Sequence, residues 1–242
     1  MTLVRRANPA TWAMLTTTPF LCAAGVLLLV FAPELQPGVS AVAVCLLAYI
    51  AGSLSWGYIL VDLAMGEDIR DFGSGRTGMS NILRTAGGKA ATLVFLLDAG
   101  KGALVVLLAR GANGSVETEV AAALIALCGH NWPIFLRFRG GRGIMPGFGG
   151  LSIMAPWIAA SGGAVFLVVT LSSRILSLGS IAGTLAVALI SLALTFMIGH
   201  HQLYTLYAFV GGALIIWQHR DNIRRIANGT ERRLGLPGLR NH

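Results

Sequence analysis

Three short basic segments hold most of the residues able to do chemistry in this chain. They are "DFGSGRTGMSNILR" (71–84), "RFRGGRG" (137–143) and "QHRDNIRR" (218–225). Glycine lets backbone N–H groups approach an anion without a Cβ in the way. Ser74 and Ser80 add hydroxyl donors, and Arg84 adds a planar fork suited to phosphate. A fourth piece, "SSRILSLGS" (172–180), opens a helix. The chemistry is that of phosphate binding, but neither standard fingerprint is present: "GSGRTG" is not GxGxxG after a strand, and no GxxxxGK[ST] occurs. The five histidines show no HExxH spacing, and no GxSxG or paired Cys/His supplies a covalent nucleophile. Cys22, Cys45 and Cys128 fall singly in apolar runs and read as small core residues. No metal and no cofactor are expected.

The elements that must position these segments are set by composition. The chain has 242 residues, 55% hydrophobic and 12% charged, against roughly 25% charged in a soluble domain. Its mean hydropathy is +0.73. This is the composition of an integral membrane protein, and continuous apolar runs favour helices over a barrel. Charge-free runs predict spans at 7–33, 39–61 and 120–136, with another at 90–110 interrupted by Asp98 and Lys101. The run 143–173 is broken by Pro146, Gly149, Gly150 and Pro156 into a short helix near 144–155 and a second near 157–172. "GHHQ" (199–202) splits 175–218 into two more. The total is eight apolar segments.

With residues 64–89 on the cytoplasmic side, strict alternation places 137–143, 173–175, 219–242 and the N-terminus there as well. That face then collects every Lys and Arg except Lys101 and Arg110, which fixes the orientation. The net charge of +8 is thereby explained by topology, and a nucleic-acid partner is not expected. The "RR" before the first run also fits a signal peptide, but no small-x-small cleavage site follows, so a retained helix is expected. Asp98 and Lys101 are spaced for an ion pair on one helix face. His130 either caps a backbone carbonyl or approaches the site, and "GSIAG" (179–183) has the spacing of a close helix contact.

Six blocks together resemble one family, the bacterial acyl-phosphate-dependent glycerol-3-phosphate acyltransferases. They are "GSLSWG" (52–57), "GSGRTGMSNILR" (73–84), "LDAGKG" (97–102), "GHNWPIFLRFRGGRG" (129–143), "SLGSI" (177–181) and "QHRDNIRRIANGTE" (218–231). Their order and spacing match over about residues 42–232. The resemblance implies an all-α polytopic fold with about seven core transmembrane helices, some short, over 41–232. An extra N-terminal helix over 1–40 precedes them, and a cytoplasmic tail over 233–242 follows. It implies transfer of a fatty acyl group from acyl phosphate to the 1-hydroxyl of glycerol 3-phosphate at the cytoplasmic face of the bilayer. By motif position Ser74, Gly75, Arg76, Asn81, Arg84, Gly140, Gly141 and Gly143 would bind substrate, and His219, Asn222, Arg142 and Ser177 would serve the chemistry. His219 is the candidate base or orienter, with a substrate phosphate as the alternative proton acceptor.

The sequence departs from the family pattern at several points. Arg76 stands where an Asn is usual, and Arg142 where a Lys is usual. "IMPGFG" follows the GGRG turn, so Pro146 is expected to disturb the start of the short helix. These departures leave open a paralogue with another acceptor or donor, or a non-catalytic binder of anionic lipid or organophosphate.

Overall fold

The computed structural model describes residues 7–235; Arg5, Arg6, Arg240 and residues 236–242 of the expected tail lie outside them. The described residues form eleven α-helices and three single turns of 3-10 helix, with no strand among them. The helices are α1 (Pro9–Phe31), α2 (Pro37–Ser53), α3 (Trp56–Met65), α4 (Met79–Thr85), α5 (Gly87–Ala112) and α6 (Val116–Asn131). They continue as α7 (Ile144–Met154), α8 (Pro156–Ser173), α9 (Leu176–Ile198), α10 (Gln202–Gln218) and α11 (Arg220–Ala227). Local chemistry sets several ends. Proline opens α1, α2 and α8, where its missing N–H costs nothing. The Asn8 and Ser115 side chains cap α1 and α6, and left-handed Gly66 and Gly199 close α3 and α9.

Among the described residues six apolar helical stretches are long enough to cross a bilayer: Pro9–Glu34, Pro37–Met65, Gly87–Ala112, Val116–Leu136, Pro156–Ser173 and Leu176–Ile198. Trp157, Phe196 and Phe20 are 83%, 82% and 75% exposed. An exposed apolar surface of this kind fits lipid, not water. Each of the eight apolar segments read from the sequence contains a helix, with two corrections. The run 39–61 is not one helix, because the backbone turns extended at Leu54 and Ser55, between α2 and α3. Pro146 does not disturb α7, which runs unbroken from Ile144. As its third residue, Pro146 needs no intrahelical donor.

Glycine draws the helices together. A Cβ on Gly149 would overlap the carbonyl oxygen of Ala99, and one on Gly102 that of Pro146, so α5 and α7 touch backbone to backbone. On α9, Gly179 meets Thr170 and the Phe166 carbonyl, and Gly183 meets the Gly162 carbonyl of α8. The "GSIAG" spacing therefore marks a close helix contact.

These contacts leave no room for a side chain. Gly149→Val is expected to lower stability by about 1–3 kcal/mol, the cost of overpacking; thermal unfolding in detergent beside Gly163→Ala, a position with only ordinary contacts, checks it.

Candidate active site

The segment between α3 and α4 is shaped by its own sequence. Gly73 and Gly75 take left-handed backbone at φ +53° and +67°, where other residues are strained. Asn81, 1% exposed, fastens the loop. Its Oδ1 accepts from the Ser74 N–H at 3.0 Å, and its Nδ2 donates to the carbonyls of Ile69, Phe72 and Arg76 at 3.2, 2.9 and 3.0 Å. The amide of Asn81 is thus committed to backbone. The Gly75 N–H is likewise committed, to the Phe72 carbonyl. What the loop and the short helix after it offer is side chains: the Ser74 hydroxyl and, from α4, the Arg84 Nε are buried with no hydrogen-bond partner among the described residues. Beneath the loop, Arg70 pairs with Asp68 at 2.6 Å, donates to the Leu136 carbonyl at 3.0 Å and stacks on Tyr58.

Behind the loop a lysine organises three helices. Lys101 of α5 pairs with Asp98 at 2.9 Å and donates to the Gly52 and Leu54 carbonyls at 3.0 and 2.8 Å. Those carbonyls belong to the end of α2, where the helix breaks. Its ammonium also lies 3.0 Å from His130 Nδ1. Since an ammonium only donates, Nδ1 accepts and His130 carries its proton on Nε2. The ion pair expected from the spacing of Asp98 and Lys101 is present, and His130 joins it. His130 Nε2 packs against Gly141, where a Cβ would overlap the ring.

The GGRG turn is built on the end of α6. The Gly141 and Gly140 N–H groups donate to the His130 and Asn131 carbonyls at 3.0 and 3.3 Å. They shape the turn and are not free donors. Gly143, at φ +87°, lines a polar compartment with Arg142, whose Nε donates to the Gln218 carbonyl at 3.3 Å.

The third segment closes the site. His219, 3% exposed, sits between α10 and α11. Its Nδ1 lies 2.8 Å from the Ile215 carbonyl, which can only accept, so neutral His219 holds its lone pair on Nε2. Burial, then the charge of Arg142, pushes its pKa down to about 4. Sequence reasoning passed over Glu231, although it ends the last matching block. Its carboxylate accepts from Ser177 at 3.0 Å, Asn222 at 2.8 Å and Arg225 at 2.7 Å. Next to it, Arg232 donates to the Gly73 carbonyl at 2.9 Å, binding the end of the described chain to the first loop.

The predicted residues are therefore brought to one end of the helix bundle. The guanidinium of Arg142 is pushed down to about 9 by burial, then by Arg76 and Arg225. Arg84 is lowered by burial, then by Arg232, and Arg76 by burial, then by Arg220. Each feels its neighbours, and Glu231 is the carboxylate common to Arg84, Arg142 and His219. Such crowding of cations creates strong positive potential, which an anion relieves.

The polar compartment, about 40 Å³, is lined by Ser80, Asp98, His130, Arg142, Gly143 and His219 among others. It shares Met79, Ile144, Met145, Phe166 and Ser180 with an apolar slot of about 460 Å³ that runs on between α5, α7, α8, α9 and α10. A second polar recess, about 320 Å³, lies at Gly75, Arg76 and Arg139. No group of three or more metal-ligating side chains occurs among the described residues.

A bundle of apolar helices that joins a polar pocket to an apolar slot at one end is an integral membrane protein with a site for an amphiphile. The comparisons give its family. Residues 42–229 match the family model described as glycerol-3-phosphate acyltransferase. Glycerol-3-phosphate acyltransferase 3 of Dehalococcoides mccartyi strain CBDB1 is 43% identical over 203 residues, 79% of this chain and 94% of the relative. The glycerol-3-phosphate acyltransferase of Rubrobacter xylanophilus is 43% identical over 190 residues, 78% and 93%. Crystal structures of PlsY (YgiH), an integral membrane glycerol 3-phosphate acyltransferase, superpose with TM-scores of 0.75 for its glycerol 3-phosphate form and 0.73 for its lysophosphatidic acid form. Their identities are 35% and 32%, with 81% of this chain and 96% of theirs covered. The chain belongs to the glycerol-3-phosphate acyltransferase family, and it is an acyltransferase.

Removing one partner of a buried ion pair leaves the other uncompensated. Lys101→Met is expected to cost about 3–5 kcal/mol, with part recovered in Asp98→Asn/Lys101→Met. Denaturant unfolding of the three proteins gives the order wild type, double variant, single variant.

Proposed function

We propose that this protein transfers a fatty acyl group from acyl phosphate to the 1-hydroxyl of glycerol 3-phosphate, releasing lysophosphatidic acid and phosphate. The observation that carries this reading is the shared wall between the polar compartment that holds Arg142 and His219 and the apolar slot. It fits a reaction whose donor and product each join a phosphate to an acyl tail. The tail lies in the slot, and the phosphates lie among Ser74, Arg84, Arg142 and Arg225. A phosphate monoester carries about −1.5 to −2 charge near neutrality, and the excess of arginine over carboxylate answers that charge. By the distribution of Lys and Arg, this end of the bundle faces the cytoplasm, where the soluble acceptor is supplied.

An acyl phosphate is already activated, so the protein has no need to form a covalent intermediate. Its residues have to hold the acceptor hydroxyl against the donor carbonyl and oppose the charge that develops on the carbonyl oxygen and the departing phosphate. Arg142, at the junction of pocket and slot, takes that charge. His219, neutral with Nε2 unprotonated, accepts the hydroxyl proton or orients the hydroxyl toward a substrate phosphate that accepts it. Glu231 takes the one Ser177 hydroxyl proton, one Asn222 N–H and the Arg225 Nε–H; Ser177 thereby anchors the carboxylate, and the second Asn222 N–H and the Arg225 Nη2 remain as donors for substrate. Asn81, Gly140 and Gly141 act by shaping the loops that carry the donors.

Purified protein given labelled palmitoyl phosphate and glycerol 3-phosphate is expected to form lysophosphatidic acid; transfer to another acceptor, or binding with no turnover, refutes the assignment. His219→Asn is expected to lower kcat by about 100-fold, the scale of positioned proton transfer. Above about pH 5 the two pH profiles should differ in height and not in shape. The folded His219 is already neutral there, and a limb near pH 6 belongs to the substrate phosphate. Loss of a limb at pH 6–7 in the variant would contradict the depressed histidine. A Cβ on Gly163, in the slot, meets only Phe148 at 3.6 Å. Gly163→Leu should therefore shift preference toward shorter acyl donors, at about 0.8 kcal/mol for each methylene excluded, read as kcat/KM across a chain-length series.

A further inference from the structure

Helix α1 precedes the family-matched region, which begins at residue 42. It is not a detached anchor, because it grips both ends of α3. At one end, Met14 is fully buried and its sulfur accepts the Ser55 N–H at 3.4 Å, at the break between α2 and α3. At the other end, Asp62 lies in the last turn of α3, four residues before Gly66 closes that helix and the chain runs on to the substrate loop. Its Oδ2 accepts the Asn8 N–H at 2.8 Å and the Thr11 hydroxyl at 2.5 Å. Asp62 is 8% exposed and Thr11 is 0% exposed. The partial positive charge of the α1 N-terminus favours a carboxylate there. Met14 also belongs to one buried cluster with Ile59, Ile69 and Ile82, and Phe72 and Met79 pack against it. Two of these residues bracket the segment that carries Ser74 and Asn81.

We propose that α1 is a splint for α3, and that Thr11 and Asp62 are positioning residues for the substrate loop 71–84. The break at Leu54–Ser55 frees α3 from the rigidity of α2, and a ten-residue helix cannot hold its own direction by hydrogen bonds alone. The contacts from α1 replace that lost continuity and transmit it to the loop. Neither residue touches the polar compartment. Their effect is on where Ser74 and Arg84 stand, and so on capture of the acceptor, not on the chemical step. The kinetic part of the inference rests on the acceptor assigned above; the structural part does not.

The test uses the full chain in lipid nanodiscs, comparing Thr11→Val, Thr11→Ser and Asp62→Asn with wild type. Thr11→Val keeps the shape and removes the hydroxyl. Amide hydrogen exchange over 66–86 is expected to quicken about fivefold, the equivalent of one net hydrogen bond, with α5 and α6 unchanged. KM for glycerol 3-phosphate should rise by a similar factor, with kcat and the KM for acyl phosphate held. Thr11→Ser restores both. If Thr11→Val does not fold, Asp62→Asn, which keeps the shape and an acceptor, is read in its place. Wild-type exchange in the loop overturns the splint, as does faster exchange spread evenly over the protein. Loop-specific exchange in a protein whose wild type leaves glycerol 3-phosphate unacylated upholds the splint and refutes the acceptor instead.

Discussion

A single ammonium group, that of Lys101, holds the architecture of the site together. Within 3.0 Å it meets Asp98 on its own helix, two carbonyls at the end of α2 and the ring of His130 at the end of α6. A charge so deep in apolar surroundings is tolerable only with partners on every side, so the partners are fixed as firmly as the charge. The break after α2 supplies two of them, since a regular helix would turn those carbonyls to its own N–H groups. His130, fixed in tautomer and orientation, forms the platform against which Gly141 packs, and the GGRG turn presents Arg142 from that platform. One buried cation thus sets the end of α2, the end of α6 and the placement of an arginine that never touches it.

The two compartments at this end divide the problem that an amphiphile presents. The slot needs no specificity beyond shape, and small residues on α7, α8 and α9 supply room by omission. Around the polar compartment Arg76, Arg84, Arg142 and Arg225 stand close enough to feel one another, and repulsion between them would scatter them. Glu231 offsets that repulsion: one carboxylate orders Ser177, Asn222 and Arg225 while leaving net positive charge for a dianion.

Much of this was legible in the residues, and what was not has a physical reason. Charge-free runs marked the helices because a bilayer penalises charge in a way that loops do not share. That Arg84, Arg142 and His219 stand near one another was legible because the basic segments share one end of the bundle. The break at Leu54–Ser55 was not, since the run stays uncharged through it; the Gly and Ser residues of "GSLSWG" (52–57) are the local signal, and the Lys101 ammonium that takes the freed carbonyls lies 49 and 47 residues away in sequence. Asn81 was read as part of the loop but stands in the first turn of α4, and that its amide serves the backbone is a matter of geometry that spacing does not carry. Glu231 ran against charge logic, because a carboxylate is the last group expected beside a phosphate. Pro146 misled because its rule applies to helix interiors, and here it stands in the first turn.

Glu231 and Arg232 follow every helix of the bundle, yet they touch Ser177 and Gly73 on elements made much earlier. During synthesis, all the apolar helices can enter the bilayer before this clasp exists. A chain stalled after α11 would hold every helix while Ser177 and the Gly73 carbonyl still lacked these two partners. The last contacts that tie the first loop and the start of α9 together are therefore made by the last residues to be synthesised among those described.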